Sequence, residues 1–558
     1  MDFDTPYLTQ QLIAYIGNKR RLLPLVYRAI ESTGLELRRG LKFFDAFSGS
    51  GSVSRLAKAL GFEVYSNDWE YYAYVLGKGF LEADAADIEK LFGSKEAFSA
   101  LLAHINALPD PSPEKQYIAR YYAPPTFDID EANFKTERLF YTRQNALVID
   151  KIRNYIEESY TEEGDSADRR KRSILLASLL YECATHTNTS GVFKAYHKGF
   201  GGHSKDALSR ILKAIALHEA PLIDAQAPVH VYREDANSLV RRKELKGIDI
   251  AYLDPPYNQH QYGSNYHLLN TIALWDKVPA PLELNGKGEL KEKAAIRHDW
   301  VKTKSAYCYK HEAEAAFEDL ISHLDAKFIL ISYSTDGIIP FDVMKDICTR
   351  KGRLSIVTNE YTKYRGGKQS NRRQNTNIEF ILCIDTSRKS DSASLKAINA
   401  LLERKKILLL FKQKFHEQSL RKAFPIASDG SLLFYVGKRC YAIKSESLFE
   451  LYPPEGCETF SLAALRNLND SLAPCVCLTK EEELGELLAK AQAGSISTKL
   501  LKKIPATLKK LASRKNKDKY CFWLEKIEAF AADRPELYGV ISAAMERIKA
   551  IAAERFST

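Results

Sequence analysis

An α/β fold follows from three features of the sequence. Four short apolar runs, Leu41 to Phe47, Phe62 to Ser66, Val229 to Tyr232 and Ile248 to Leu253, read as strands, and each ends near an acid: Asp45, Asp68, Asp235 and Asp254. The first leads through Ser48-Gly49-Ser50-Gly51-Ser52 into a helical pattern closed by Gly61, the strand-turn-helix rhythm of a parallel sheet. Two later runs, Leu354 to Tyr361 and Asn377 to Ile384, are close enough in sequence to predict an antiparallel hairpin at the sheet edge. The sheet domain is expected over residues 1–80 and 228–388, interrupted by a mostly helical insertion at 81–227 and followed by a C-terminal α+β extension at 395–558.

Composition sets the outer bounds. The chain has 558 residues, 45% hydrophobic and 27% charged, as in water-soluble globular proteins of several domains. A formal net charge of +10 suits a polyanionic partner. The acidic start, Met1 to Pro6, does not read as a signal peptide, and no apolar run approaches the ~18 residues of a membrane span. A cytoplasmic protein without a membrane partner is expected. The nine cysteines show no paired C-x-x-C spacing, so they read as reduced and mostly buried, and no metal is expected.

In chain order, Tyr15-Ile16-Gly17-Asn18-Lys19 is a loop before a helix carrying Leu22, Leu23, Val26, Tyr27 and Ile30, with Gly34 beyond its end. Its backbone N–H groups and lysine could hold a carboxylate. After the Gly-rich turn, the acid of Asn67-Asp68 at the next strand end is placed to take ribose hydroxyls, and the missing G-x-G-x-x-G argues against a dinucleotide. Within the insertion, Thr142 to Ser159 and Arg172 to Thr185 read as helices. Tyr117, Tyr121, Tyr122 and Phe127 lie between helices, and Lys194 and Lys198 lie in a later glycine-bearing loop. Such basic and aromatic loops can grip phosphates and bases or form aromatic core beneath solvated lysines.

The central turn is Asp254-Pro255-Pro256-Tyr257. Consecutive prolines fix their own φ and donate nothing to a ladder, so the turn is stiff and can aim the Asp254 carboxylate and the Pro255 carbonyl at a planar amine, with the Tyr257 ring stacking on its base. An amino group conjugated to a ring is a poor nucleophile, and such acceptors would draw it toward tetrahedral geometry for methylation. The following Asn258 to Tyr266, polar and glycine-bearing, reads as a mobile lid or DNA-facing loop, with Tyr262 in it, and His267 to Trp275 as a helix whose histidine is structural. The hairpin connection carries Arg365, Lys368, Arg372 and Arg373 around Gly366-Gly367, suited to a phosphate backbone. In the extension, Leu401 to Phe415 reads as a helix and Lys499 to Lys519 as a basic helix face, for DNA grip or self-association.

Taken together, Tyr15 to Lys19, Asp45-Ala46-Phe47-Ser48-Gly49-Ser50-Gly51-Ser52-Val53, Asn67-Asp68 and Asp254 to Tyr257 resemble, in order, the Dam-like (alpha-group) adenine-specific DNA methyltransferases. Asn258 to Thr271 is similar to their type II and IIS restriction–modification branch. The resemblance, over roughly residues 9 to 385, implies a Rossmann-like S-adenosylmethionine-dependent methyltransferase sheet and double-stranded DNA as substrate. It places Tyr15, Gly17, Asn18 and Lys19 at the cofactor's methionine end and Asp45, Phe47, Ser48 and Gly49 along its loop. Asp68 would hold the ribose, Asp235 would lie near the adenine, and Asp254, Pro255, Pro256 and Tyr257 would receive a flipped target adenine. It also makes the insertion the target-recognition domain and a separate restriction endonuclease a candidate partner, or else implies an orphan or phage enzyme. An RNA or protein amino-group methyltransferase, a cytosine-amine methyltransferase and a catalytically silent DNA-binding protein are the alternative readings.

Overall fold

The computed structural model describes residues 1–202, 205–335, 337–358, 379–445 and 447–557. Seven strands form the main sheet: β1 (Lys42–Asp45), β2 (Glu63–Asn67), β3 (Val229–Tyr232), β4 (Ile248–Leu253), β5 (Ala326–Ser334), β6 (Arg353–Thr358) and β7 (Glu379–Asp385). Their order is β3-β2-β1-β4-β5-β7-β6; the first five are parallel, and β7 runs antiparallel to both β5 and β6. The expected edge hairpin is therefore present. Its connection, with Arg365, Lys368, Arg372 and Arg373, lies outside the described residues. The chain leaves β1 toward β2 and leaves β4 toward β5, so the carboxyl ends of the two central strands flank a crevice where an open α/β sheet binds its ligand.

Apolar alternation explains the two covered faces. Phe43, Val64, Ile250, Tyr252, Leu330 and Ile381 pack with Val26 and Ile30 of the helix Leu23–Glu31 and Leu56 of the helix Ser52–Ala59. On the other side, no strand forms between β2 and β3 among the described residues. The helices Arg143–Ser159 and Ser166–Thr185 of the insertion share one core with the helix His267–Leu274 that follows β4. Two buried arginines fasten this core by donating to backbone carbonyls. Arg138 reaches Tyr121 O, Ala280 O, Pro281 O and Glu292 O, and Arg153 reaches Ile272 O and Ala273 O with its guanidinium 5.2 Å from the Trp275 ring centroid. The helix expected from Arg172 starts instead at Ser166, because Asp165 caps it by accepting from Asp168 N and its first turn is polar rather than apolar. Tyr117 and Tyr122 are core, whereas Phe127 is exposed.

The loop expected over Asn258 to Tyr266 is confined to its first part: Asn258 to His260 lie outside helix and strand with Gln259 and His260 exposed, but the remainder is not a loop. Gly263, Ser264 and Asn265 are buried in a helical turn, Tyr262–Asn265. Polarity did not mean exposure here because the polar groups are satisfied internally: Gln261 Nε2 donates to Ser305 O at 3.0 Å, its Oε1 accepts from Ser305 N at 2.9 Å, and Asn265 O accepts from Phe193 N at 2.7 Å.

The chain divides into two compact units, and the described residues from Ser392 onward form the second. That unit begins with the helix Ser392–Leu410, earlier than expected, and contains the hairpin β8 (Leu432–Val436) and β9 (Arg439–Ile443) before a set of helices. Lys499 to Lys519 is not one helix face. It is broken into Thr498–Leu501, Lys503–Leu508 and the start of Lys517–Asp533; Pro505, which has no N–H to give to a preceding turn, sits in the first turn of the second of these helices. No helix among the described residues is long and apolar enough to cross a membrane.

One contact tests the joint between insertion and sheet. A Cβ on Gly79 would lie 2.4 Å from Ser173 O and 2.5 Å from Ala177 Cβ. Gly79→Ala should lower stability by about 1–3 kcal/mol, read as a lower urea midpoint. Gly539→Ala, which meets open space, should leave the midpoint nearly unchanged.

Candidate active site

The loops after β1, β2, β3 and β4 converge on a cavity, adjoined by a smaller one. Tyr15, Gly17, Phe47 and Asp254 line both. Asp68, Asp235, Pro255, Pro256 and Tyr257 line the larger, and Asn18, Lys19, Asp45, Ser48 and Gly49 the smaller. Every residue expected at the catalytic turn and the cofactor loop is thus gathered at one place.

Each wall has a local cause. The stiff proline turn leaves Asp254 at the end of β4, where Lys19 Nζ meets its Oδ1 at 3.1 Å and lies 5.6 Å from the Tyr257 ring centroid. Burial pushes Asp254 up to about 6, with Lys19 opposing the shift. Burial alone would lower Lys19, but Asp254 together with Tyr257, Tyr252 and Glu379 outweighs it, and the ammonium is held above its ordinary range. Asp45 is raised to about 7 by burial, partly offset by the hydroxyl of Ser54, which donates to Oδ2 at 2.6 Å. Burial likewise raises Asp68 to about 6, opposed by Glu70 N and Gly49 N, which donate to its two oxygens at 2.9 and 2.8 Å.

The Tyr15 to Lys19 loop is fixed from the far side of the catalytic turn. Tyr266 Oη accepts from Ile16 N at 2.8 Å, Tyr262 Oη donates to Ile16 O at 3.2 Å, and the Tyr15 ring stacks on both rings, 5.1 Å from that of Tyr262 and 5.0 Å from that of Tyr266. Tyr262, expected to face DNA, lines the larger cavity. Gly49 touches the Tyr15 ring as well: with φ +53° and a hypothetical Cβ 2.7 Å from Tyr15 Cε1, this position requires glycine. Lys194 and Lys198 are exposed, and Lys194 lines a separate groove that shares Gln261 with the cavity.

Several wall residues were not legible in sequence. Glu70, raised to about 7 by burial, accepts from Asn270 Nδ2 at 2.7 Å and Thr303 Oγ1 at 2.9 Å. Tyr307 packs edge-on to Phe47 at 5.3 Å and donates to Asn237 Oδ1. Asp235, expected beside an adenine, also caps the helical turn Ala236–Leu239 by accepting from Ser238 N at 2.9 Å. The signals available were thin: Trp300 and Tyr307 as aromatics within a charged stretch, and Trp69-Glu70 directly after the strand-end acid.

This donor set fits a cationic adenosyl ligand. The carboxylates of Asp45, Asp68 and Asp254 face the cavities, and Asp45 Oδ1 is buried with no side chain donating to it among the described residues. Phe47, Tyr307 and Trp69 offer flat apolar surface. Gly49→Ala forces a left-handed alanine against Tyr15 and should weaken S-adenosylmethionine binding by roughly tenfold or more, measured by calorimetry, with an unchanged circular dichroism spectrum.

The family of D12 class N6 adenine-specific DNA methyltransferases matches residues 15–282. The chain is 32% identical over 366 residues to the type II methyltransferase M.NlaIII of Neisseria lactamica, covering 66% of this chain and 96% of that protein. It is 31% identical to the type II methyltransferase M.CviAII of Paramecium bursaria Chlorella virus 1, over 63% of this chain and 93% of that protein. It is also 31% identical to the modification methylase LlaI of Lactococcus lactis subsp. lactis, over 66% of this chain but 54% of that longer protein. The motifs at the strand ends, the cavity they enclose and these likenesses agree: the chain belongs to the D12 class N6 adenine-specific DNA methyltransferases.

Proposed function

We propose that the chain is the site-specific modification enzyme of a restriction–modification system, methylating the 6-amino group of an adenine flipped out of duplex DNA. The convergence of Asp254, Pro255, Pro256 and Tyr257 with Asp45 and Asp68 around one cavity carries this reading. S-adenosylmethionine, when bound, supplies the methyl group on a sulfonium. The chain's own residues do the rest. Asp254, ionised and held by Lys19, accepts from the target amine and stabilises the positive charge that grows on nitrogen; the Pro255 carbonyl is the second acceptor. Tyr257, braced edge-on by Tyr333 at 5.9 Å, gives the base a face to stack on. Asp45 and Asp68 offer negative charge and hydroxyl acceptors to the cofactor, and the Tyr15 to Lys19 loop encloses its methionine end. The insertion is assigned sequence reading, with Lys194 and Lys198 on phosphates, and a separate endonuclease is the assigned partner.

Two outcomes test this. Asp254→Ala should abolish methyl transfer while leaving duplex binding in place. Expressed in a host without adenine methylation, the native chain should leave methyladenine confined to one short motif in long-read modification sequencing; unmodified DNA would redirect attention to RNA or protein substrates. Because deprotonated carboxylates attract a cationic ligand, S-adenosylmethionine binding should tighten as pH rises through about 6 to 7, and Asp45→Asn should flatten part of that rise.

A further inference from the structure

The positive charge of this chain is unevenly placed. Residues 392–558 hold 28 Lys and Arg against 19 Asp and Glu, whereas residues 1–391 hold 53 against 52. The part that carries the methyltransferase motifs is nearly neutral, and the second unit supplies almost the whole net charge of +10.

Within that unit the cations fall into two sorts. Lys414 and Lys503 pair with Glu450, Lys490 with Glu417, Lys480 with Glu483 and Lys519 with Glu481. In contrast, Lys502, Lys509, Lys510, Arg514 and Lys515 are exposed and make no ion pair with any described residue. Buried Leu501, Ile504, Leu508 and Leu511 hold these five side chains on one short stretch. Partial burial and the nearby Lys480 and Lys414 ammonium groups hold Lys510 below the usual lysine range, with Glu483 opposing the shift. Like charges fixed together without ion-pair partners repel, and a line of phosphates relieves that repulsion while releasing counterions.

We propose that Lys502, Lys509, Lys510, Arg514 and Lys515 form a duplex-DNA phosphate grip in the second unit that binds without regard to sequence. It rests on the reading of DNA as substrate and deepens it: the grip raises affinity for any duplex and leaves the choice of adenine to the other unit.

The test uses the full chain with all five residues changed to Gln, and a second variant with the four lysines changed to Arg. Binding to a duplex lacking the target motif is measured by fluorescence anisotropy across a salt series. For the Gln variant we expect an affinity loss of tenfold or more at low salt. Its log K against log [salt] slope should be shallower by about 0.9 for each phosphate it no longer neutralises. Its KM for target duplex should rise, with kcat at saturating DNA and S-adenosylmethionine binding unchanged. The Arg variant should behave as the native chain. Equal slopes for native and Gln chains, with normal cofactor binding, overturn the grip and leave the patch to an acidic protein partner. If the native chain shows the patch-dependent slope yet methylates no DNA, the grip stands and the proposed substrate falls.

Discussion

The buried ion pair between Lys19 and Asp254 is the contact on which the site depends. It joins two stretches more than two hundred residues apart and brings the N-terminal loop onto the end of β4. It also keeps a carboxylate charged where burial would favour the neutral acid, as Asp254 must be if it is to accept from an amine. Everything else in the cavity wall supports that meeting. Tyr262 and Tyr266 clamp Ile16 from the segment after the catalytic turn, and Gln261 ties that segment to Ser305. Cofactor loop, catalytic turn and outer wall therefore share one hydrogen-bonded frame, and a displacement in any of them is felt by the others.

Much of this was legible because the relevant signals are local. A strand end, a stiff turn and a glycine are each specified within a few residues, so β1, β2, β3 and β4 could be located with the acids that follow them, and the edge hairpin with its antiparallel sense. What escaped depends on distant partners. Tyr307 and Thr303 reach the cavity from a stretch with neither helical nor strand period, and only the fold brings them to Phe47 and Glu70. Gln261 to Tyr266 misled for a related reason: its polarity suggested solvent, but Gln261 finds its partner at Ser305 and the Asn265 carbonyl at Phe193, pairings that composition cannot announce. In the second unit, the lysines of 499–519 were visible, but the weight of Pro505 as a break in a helical pattern was missed.

The division of charge gives the two units different physical characters. A nearly neutral catalytic part can discriminate between bases without being pulled strongly to every phosphate it meets, while a basic appendage increases residence on the polymer. Affinity and selectivity can then change by mutation in separate stretches of sequence.

Arg138 and Arg153 carry a consequence for how such enzymes diversify. Arg138 binds carbonyls on both sides of the boundary between insertion and catalytic helix, and Arg153 reaches from the insertion to carbonyls of that helix, so the segment proposed to read DNA is not a cassette that recombination can lift out and replace. An incoming insertion would have to bring its own cations into register with Ala280, Glu292 and Ile272, or leave those carbonyls buried and unmet. New specificities in this architecture should arise by drift in exposed loops over a retained core.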